Sequence, residues 1–153
     1  MSLPSLAAIP SLLKPLASRA EQSWRSAVAE LEGEHRLDQW SAEQWAAFDR
    51  VSAASDFFTE QVLRDPLMLL EWVASGELDR RFEPGELCGQ IAAAVEQAHT
   101  DDDLGRVLRR QRTRQQVRII WRDINRQADL IETCRDLSDM ADASIDQAYR
   151  WLY

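Results

Sequence analysis

The sequence has few of the residue types that most metal, nucleophile and nucleotide sites require. It contains two cysteines, two histidines, five glycines and one lysine among 153 residues. Cys88 and Cys134 match no zinc or redox spacing, and His35 and His99 are isolated from each other and from cysteine. The glycines form neither a G-x-G-x-x-G motif nor a P-loop. We therefore predict no catalytic, cofactor-binding or metal-binding residue in this chain.

Long apolar runs and a targeting signal are also missing. No run approaches the roughly eighteen apolar residues of a membrane helix, and the proline-interrupted amino terminus lacks the basic region of a signal peptide. Two cysteines without a pairing pattern are typical of a reducing compartment, so we expect a cytoplasmic protein. The net charge of −8 disfavours nucleic acid and anionic membranes as partners of the whole molecule.

The residues that are present predict an all-α protein. Hydrophobic residues make up 45% of the chain, and Ala, Leu, Glu, Gln and Arg outnumber the β-branched residues. We predict an irregular bundle of five or six helices with no sheet. Residues 1–14 form a partly ordered, proline-containing lead in this interpretation, and residues 15–153 form one helical domain.

Periodicity and capping signals place the helices at about 15–31, 41–64, 66–75, 86–99, 103–127 and 129–153. Gly33 is the predicted stop of the first helix, and Ser41 with Gln44 forms a capping box for the second. Asp65 is the predicted cap of the third helix, and Gly76 is its predicted stop. The second helix is predicted to turn inward Trp45, Phe48, Val51, Ser55, Phe58 and Val62. The last helix is predicted to bury Leu137, Met140, Ala141, Ser144, Ala148 and Leu152.

Arginines dominate residues 106–126, which carry eight Arg and one Asp. This segment has a net charge of +7 and leaves −15 on the rest of the chain. Six arginines are spaced four apart, and steps of four advance by about 40° around a helix, so the ladder winds around it. The six are Arg106, Arg110, Arg114, Arg118, Arg122 and Arg126.

The ladder has three interpretations. Internal or inter-domain ion pairs are favoured, because the acidic remainder of the chain supplies partners and would repel a polyanion. A surface for a protein partner and a nucleic-acid site remain as alternatives. Seventeen arginines against one lysine also indicate a general compositional bias. Trp121 and Trp151, two of six tryptophans that dominate either the core or a docking surface, join the six arginines as structural or interface candidates.

Two acidic groups have simple structural explanations. Asp139, Asp142 and Asp146 share one face of the last helix, which is typical of a solvated face. Thr100–Asp103 lies where the start of the fifth helix needs a cap and where the helix dipole favours negative charge. Neither group predicts a metal site.

Three stretches together resemble one family. They are "SDFFTEQVLRDPLML" (55–69), "LRRQRTRQQVRIIWRDI" (108–124) and "LSDMADASIDQAYRWLY" (137–153). In this order they resemble the amino-terminal helical region of bacterial glutamate-ammonia-ligase adenylyltransferase, the bifunctional glutamine synthetase adenylyltransferase/adenylyl-removing enzyme. The resemblance covers about residues 10–153.

The resemblance implies a function for a longer parent protein. Proteins of this family carry two nucleotidyltransferase domains that remove AMP from a glutamine synthetase tyrosine by phosphorolysis, giving ADP, and add AMP from ATP. Mg²⁺ is required, and glutamine and a PII-type regulatory protein control the balance. The glycine-rich and Asp-x-Asp catalytic signature of the family has no counterpart here, so no catalytic residue carries over.

We therefore interpret the chain as an inactive helical fragment that packs against the missing catalytic core of its parent. The apolar "YRWLY" end, which lacks a helix stop signal, is consistent with truncation before the catalytic motif. A free-standing helical interaction module is the alternative. Under the fragment interpretation the parent needs Mg²⁺ and ATP or ADP, whereas this chain itself binds no cofactor.

Overall fold

The computed structural model describes residues 9–31 and 37–153 of the chain. These residues contain no strand, which confirms the all-α prediction. Two 3-10 helices, Ser11–Leu13 and Leu37–Gln39, accompany seven α-helices in the described ranges. The α-helices are α1 (Lys14–Ala29), α2 (Ala42–Ala54), α3 (Asp56–Arg64), α4 (Pro66–Ser75), α5 (Glu86–Val95), α6 (Asp101–Ile124) and α7 (Leu130–Leu152). The predicted stop at Gly33 and residues 1–8 of the predicted lead lie outside the described residues.

The predicted count of five or six helices is wrong because the second predicted helix is two helices. Ser55 adopts an extended backbone between α2 and α3, and its side chain accepts a hydrogen bond from the Phe58 backbone N–H. A serine in this conformation satisfies one of the free amide groups at a helix start. The apolar pattern continues through Ser55, which is why periodicity alone predicted one uninterrupted helix.

The helices α1 to α4 belong to a first compact unit, which ends at Gly76. Its core is aromatic: the ring of Phe48 lies 5.7 Å from that of Trp24 and 5.9 Å from that of Phe58. The predicted capping box of α2 is confirmed, with reciprocal hydrogen bonds between Ser41 and Gln44. Asp65 caps α4 and Gly76 ends it in a left-handed conformation, as predicted.

The second unit, Glu77–Tyr153, contains α5, α6 and α7. The last two helices run antiparallel, because Trp151 donates to Asp101 at one end and Arg122 pairs with Glu132 at the other. The helix α6 is continuous, and its two halves contact different neighbours. Near its start Leu104 packs with Val95 and Ala98, whereas its second half contacts residues 77–82 and the first turns of α7.

The carboxyl end of α6 differs from the prediction, which extended the helix to about residue 127. The helix ends at Ile124, and Arg126 has a positive φ of 54°. The Gln127 N–H donates to Arg122 O at 2.8 Å and the Arg126 N–H donates to Asp123 O at 3.0 Å. These two bonds form a Schellman motif, whose left-handed position usually holds glycine. The last arginine of the ladder therefore lies beyond the helix.

The predicted buried face of α7 is wrong at three of its six positions. The helix buries Glu132, Asp136, Met140 and Ala143. Of the residues predicted to turn inward, Leu137 and Leu152 are 41% and 65% exposed, and Ala141 is exposed as well. Two ion pairs, Arg118–Asp136 and Arg122–Glu132, lie on the buried side of the helix beside Met140 and Ala143, while much of its apolar pattern faces solvent. None of the described helices is long and apolar enough to cross a membrane.

Candidate functional site

Two arginines of the ladder lie in the interior of the second unit. The side chains of Arg118 and Arg122 are 0% and 3% exposed. They are four residues apart on α6, so both project from the same side of the helix. Burying a guanidinium is costly unless its donors are paired and its charge is balanced. The surroundings of these two side chains supply both conditions.

Arg118 uses all parts of its guanidinium group. Its Nη1 donates to Asp136 Oδ2 at 3.2 Å and its Nη2 donates to Arg80 O at 2.6 Å. Its Nε donates to Glu77 O at 3.3 Å. The ring of Phe82 lies under the guanidinium, 3.4 Å from its carbon, which adds a cation–π contact. Arg118 therefore joins α7, the segment after Gly76 and an aromatic side chain.

Arg122 makes a second junction one turn further along α6. Its Nη1 donates to Leu78 O at 2.8 Å, and its Nη2 donates to Gln127 O at 3.0 Å and to Glu132 Oε1 at 2.9 Å. Its Nε also donates to Glu132 Oε1, at 3.3 Å. Together the two arginines donate to the main-chain carbonyls of residues 77, 78 and 80, and fix the backbone of this segment against α6.

Each buried carboxylate has a second cation beside it. Arg135 donates to Asp136 Oδ1 at 2.9 Å, and Arg81 lies 3.9 Å from Glu132 Oε2. Asp136 and Glu132 are 4% and 5% exposed. The start of α7 is capped by Asp129, whose side chain accepts from the Glu132 N–H at 2.7 Å. This arrangement, which we call the arginine–carboxylate network, comprises Arg118, Arg122, Glu132, Asp136 and the carbonyls of residues 77, 78 and 80.

The pKa of Arg118 reports its environment. The pKa of this guanidinium is lowered to about 10, first by burial and second by the nearby charge of Arg122. Asp136 and Glu132 act in the opposite direction. Arg118 therefore keeps its positive charge at neutral pH, at a desolvation cost that its carboxylate partner offsets.

The other sequence candidates lie outside the arginine–carboxylate network. Arg106 is an exposed side chain that pairs with Asp103 at 3.0 Å. Arg110 and Arg126 are exposed, and Arg114 is half-buried. Trp121 is buried in the core, whereas Trp151 is half-buried and donates to Asp101 Oδ1 at 2.8 Å. Two of the eight candidates, Arg118 and Arg122, thus belong to one site.

The arginine–carboxylate network has the chemistry of a structural contact and not of a catalytic site. Guanidinium groups stay protonated and act as donors, and both carboxylates accept from them, so neither partner is available as a general base or nucleophile. In residues 9–31 and 37–153, no group of three His, Cys, Asp or Glu side chains is placed to hold a metal ion.

The predicted solvated face of α7 has Asp142 and Asp146 exposed and Asp139 half-buried. His99 is exposed, and His35 lies outside the described residues.

A groove of about 340 Å³ lies in the first unit. Its lining includes Lys14, Asp49 and Arg50. Burial raises the pKa of Asp49, and the charge of Glu21 raises it further. The mixed charges of this open groove do not form a set of oxygen ligands or a nucleophile with its base.

Sequence reasoning missed Glu132, Asp136 and the three carbonyl acceptors. One signal was present: Glu132 and Asp136 are spaced four apart, as are Arg118 and Arg122, and two antiparallel helices bring such pairs face to face. The carbonyls of residues 77, 78 and 80 carry no side-chain signal. Their role depends on the path of the backbone.

Comparison with known proteins relates this sequence to one family. The family described as glutamate-ammonia ligase adenylyltransferase matches residues 45–153. Three relatives are each named bifunctional glutamine synthetase adenylyltransferase/adenylyl-removing enzyme. The protein of Pseudomonas syringae pv. tomato is 64% identical over 100% of this chain, and that of Pseudomonas putida is 54% identical over 100%. The protein of Thioalkalivibrio sulfidiphilus is 39% identical over 98% of it.

The matched region is a small part of these relatives. The chain spans 16% of the length of the two Pseudomonas proteins and 15% of the Thioalkalivibrio protein. No solved structure matches the chain. The residues of the arginine–carboxylate network all lie within the region that matches the family, residues 45–153.

Proposed function

Because the chain belongs to the glutamate-ammonia ligase adenylyltransferase family, we propose that it is the amino-terminal helical part of an enzyme that adds AMP to glutamine synthetase and removes it. The relatives are named for both activities. The chain spans 16% of their length, so the catalytic groups of the parent enzyme belong to the remaining polypeptide in this proposal.

The role that we propose for this part is that of a scaffold. The observation that carries it is the arginine–carboxylate network: the most buried charged side chains, Arg118, Arg122, Glu132 and Asp136, are bonded to each other and to backbone carbonyls. Side chains held in this way fix the relative positions of α6, α7 and residues 77–82. A buried cation that pairs with a buried carboxylate serves structure, since its charge is already balanced and its guanidinium is shielded from solvent.

The partners of the parent enzyme follow from the same proposal. Glutamine synthetase is the protein substrate, and a PII-type protein regulates the two opposing reactions. Mg²⁺ with ATP or ADP serves the catalytic parts outside this chain. The exposed arginines of α6 lie on the surface, where a protein partner can reach them, whereas the arginines of the network are buried.

An activity assay tests the proposal. The complete protein encoded by the gene and the 153-residue chain are each incubated with adenylylated glutamine synthetase, phosphate and Mg²⁺, and release of ADP is followed. We expect turnover by the complete protein and none by the 153-residue chain. Turnover by the chain alone would refute the scaffold role, and an inactive complete protein would refute the proposed enzyme.

A pair of substitutions tests the role of the network in the complete protein. Arg118→Met should lower the thermal stability and reduce activity in proportion to the loss of folded protein, with KM for glutamine synthetase unchanged. Arg106→Met, the same change at an exposed position of the same helix, should leave both quantities unchanged. A selective increase in KM with Arg118→Met would instead place Arg118 in substrate binding.

A further inference from the structure

The helix α7 presents an apolar face to solvent over its whole length. Large apolar residues at six positions are between 41% and 77% exposed: Leu130, Ile131, Leu137, Ile145, Tyr149 and Leu152. At about 100° per residue these positions fall within an arc of roughly 120°. No charged residue of α7 falls in that arc. We call this face the exposed α7 stripe; it also contains Cys134, which is exposed.

The exposed α7 stripe extends along a long helix. A 23-residue helix is about 35 Å long, and soluble monomers rarely expose contiguous apolar patches above a few hundred Å². The opposite side of the same helix is buried although it carries Glu132 and Asp136. The helix therefore buries the side that carries these two carboxylates, while its apolar side is exposed to solvent.

The sequence pattern and the burial of α7 disagree in a way that has a physical meaning. Periodicity predicts that Leu137, Ala141 and Leu152 face a core, yet all three are exposed. An amphipathic helix normally buries its apolar face because exposure costs roughly 25 cal/mol for each Å² of apolar surface. A helix that buries one side and carries an apolar pattern on the other is suited to lie between two packed layers.

The relatives indicate which layer is absent. The chain matches them along its full length but spans 16% of theirs, so about five-sixths of a protein of that length lies outside the matched region. We infer that the exposed α7 stripe is the docking surface for this remaining polypeptide, which covers it with an apolar surface of its own. The inference rests on the proposed function and adds to it the face through which the scaffold joins the rest of the enzyme.

Cys134 allows a direct test, because it lies in the exposed α7 stripe. The thiol is labelled with a maleimide in the 153-residue chain and in the complete protein, and the rates are read by mass spectrometry. Cys88 is the internal reference: it is half-buried, and burial raises the pKa of its thiol, so it should react slowly in both proteins. We expect Cys134 to react at least about tenfold more slowly in the complete protein, at every protein concentration.

Two results would overturn the inference. One is an equal rate for Cys134 in both proteins. The other is protection that already occurs in the 153-residue chain and is lost on dilution, which would show that a second copy covers the stripe. Activity measured on the same preparation separates the proposals: an active complete protein with a reactive Cys134 refutes the docking surface and leaves the proposed function standing.

A matched pair of substitutions provides a second test of the docking surface. Ile145→Lys places a charge in the exposed α7 stripe, whereas Asp146→Lys places the same residue about 100° away on the exposed acidic side. In the complete protein, Ile145→Lys should raise the labelling rate of Cys134 about tenfold, because a lysine is poorly tolerated in an apolar contact. Asp146→Lys should not change the rate. In the 153-residue chain both variants should keep the helix content of the wild type, since both positions are exposed.

Discussion

Replacing Arg118 by methionine should destabilise the second unit by about 3 kcal/mol. Methionine fills the space of the arginine stem, so the change removes the guanidinium with little cavity. Removing one partner of a buried ion pair typically lowers the free energy of unfolding by about 3–5 kcal/mol, because the other charge stays buried without a partner. The carbonyls of Glu77 and Arg80 also lose a donor. Arg135, which still contacts Asp136, and the smaller desolvation of methionine reduce the cost.

Hydrogen exchange is the appropriate assay, since it reports the stability of each unit separately. Peptides from α6 and α7 are followed by mass spectrometry at neutral pH, and peptides from α1 and α2 serve as the reference. A loss of about 3 kcal/mol corresponds to exchange that is roughly a hundredfold faster through the open state. Arg106→Met is the control, because Arg106 pairs with Asp103 on the surface and such pairs contribute about 0–1 kcal/mol.

A double substitution tests the reason for the cost. If the penalty comes from an unbalanced Asp136, then Arg118→Met with Asp136→Leu should be more stable than Arg118→Met alone. The expected recovery is about 0.5–3 kcal/mol, the usual range for coupled neighbours. The reasoning is refuted if Arg118→Met costs no more than Arg106→Met, or if the double variant is less stable than either single variant.

Three further predictions concern single contacts. Arg126→Gly should stabilise the protein by about 1 kcal/mol in urea unfolding, because Arg126 has a positive φ that glycine adopts without strain, whereas Arg126→Ala should give no gain. Ser55→Ala should cost about 1 kcal/mol by removing the cap of α3, and Ser55→Gly should cost less. A hydrogen bond from Arg80 lowers the pKa of Glu86 to about 2, so Glu86 stabilises the folded state above the ordinary carboxyl pKa of 4.5. Glu86→Gln should therefore lower the melting temperature at neutral pH, and the difference from wild type should vanish as the pH falls from about 4.5 towards 2.

The local features of this fold could be predicted from sequence where one side chain determines the geometry. The capping box of Ser41 and Gln44 and the stop at Gly76 are of this kind, and the structure confirms them. Ser55 was not recognised as a cap because it also fits the apolar repeat of the helices that flank it. A polar residue at an inward position satisfies both patterns, and only the backbone conformation decides between them.

The arginine–carboxylate network could be predicted less well for a different reason. Arg106 and Arg118 have the same residue type and the same spacing, yet Arg106 is exposed and Arg118 is fully buried. The difference comes from what lies opposite each of them in the folded chain. For Arg118 this is a carboxylate on another helix and two carbonyls about forty residues away along the chain, which no local pattern encodes.

The two buried arginines hold the segment after Gly76 by its main chain and not by the side chains of Glu77 and Arg80. Recognition of this kind is indifferent to residue identity but strict about spacing. Replacing the side chain of Glu77 or Arg80 would therefore leave these carbonyl acceptors in place, whereas the loss of a single residue between them would shift the acceptors out of register with both guanidinium groups. In this segment the number of residues, more than their identity, determines whether both guanidinium groups reach their acceptors.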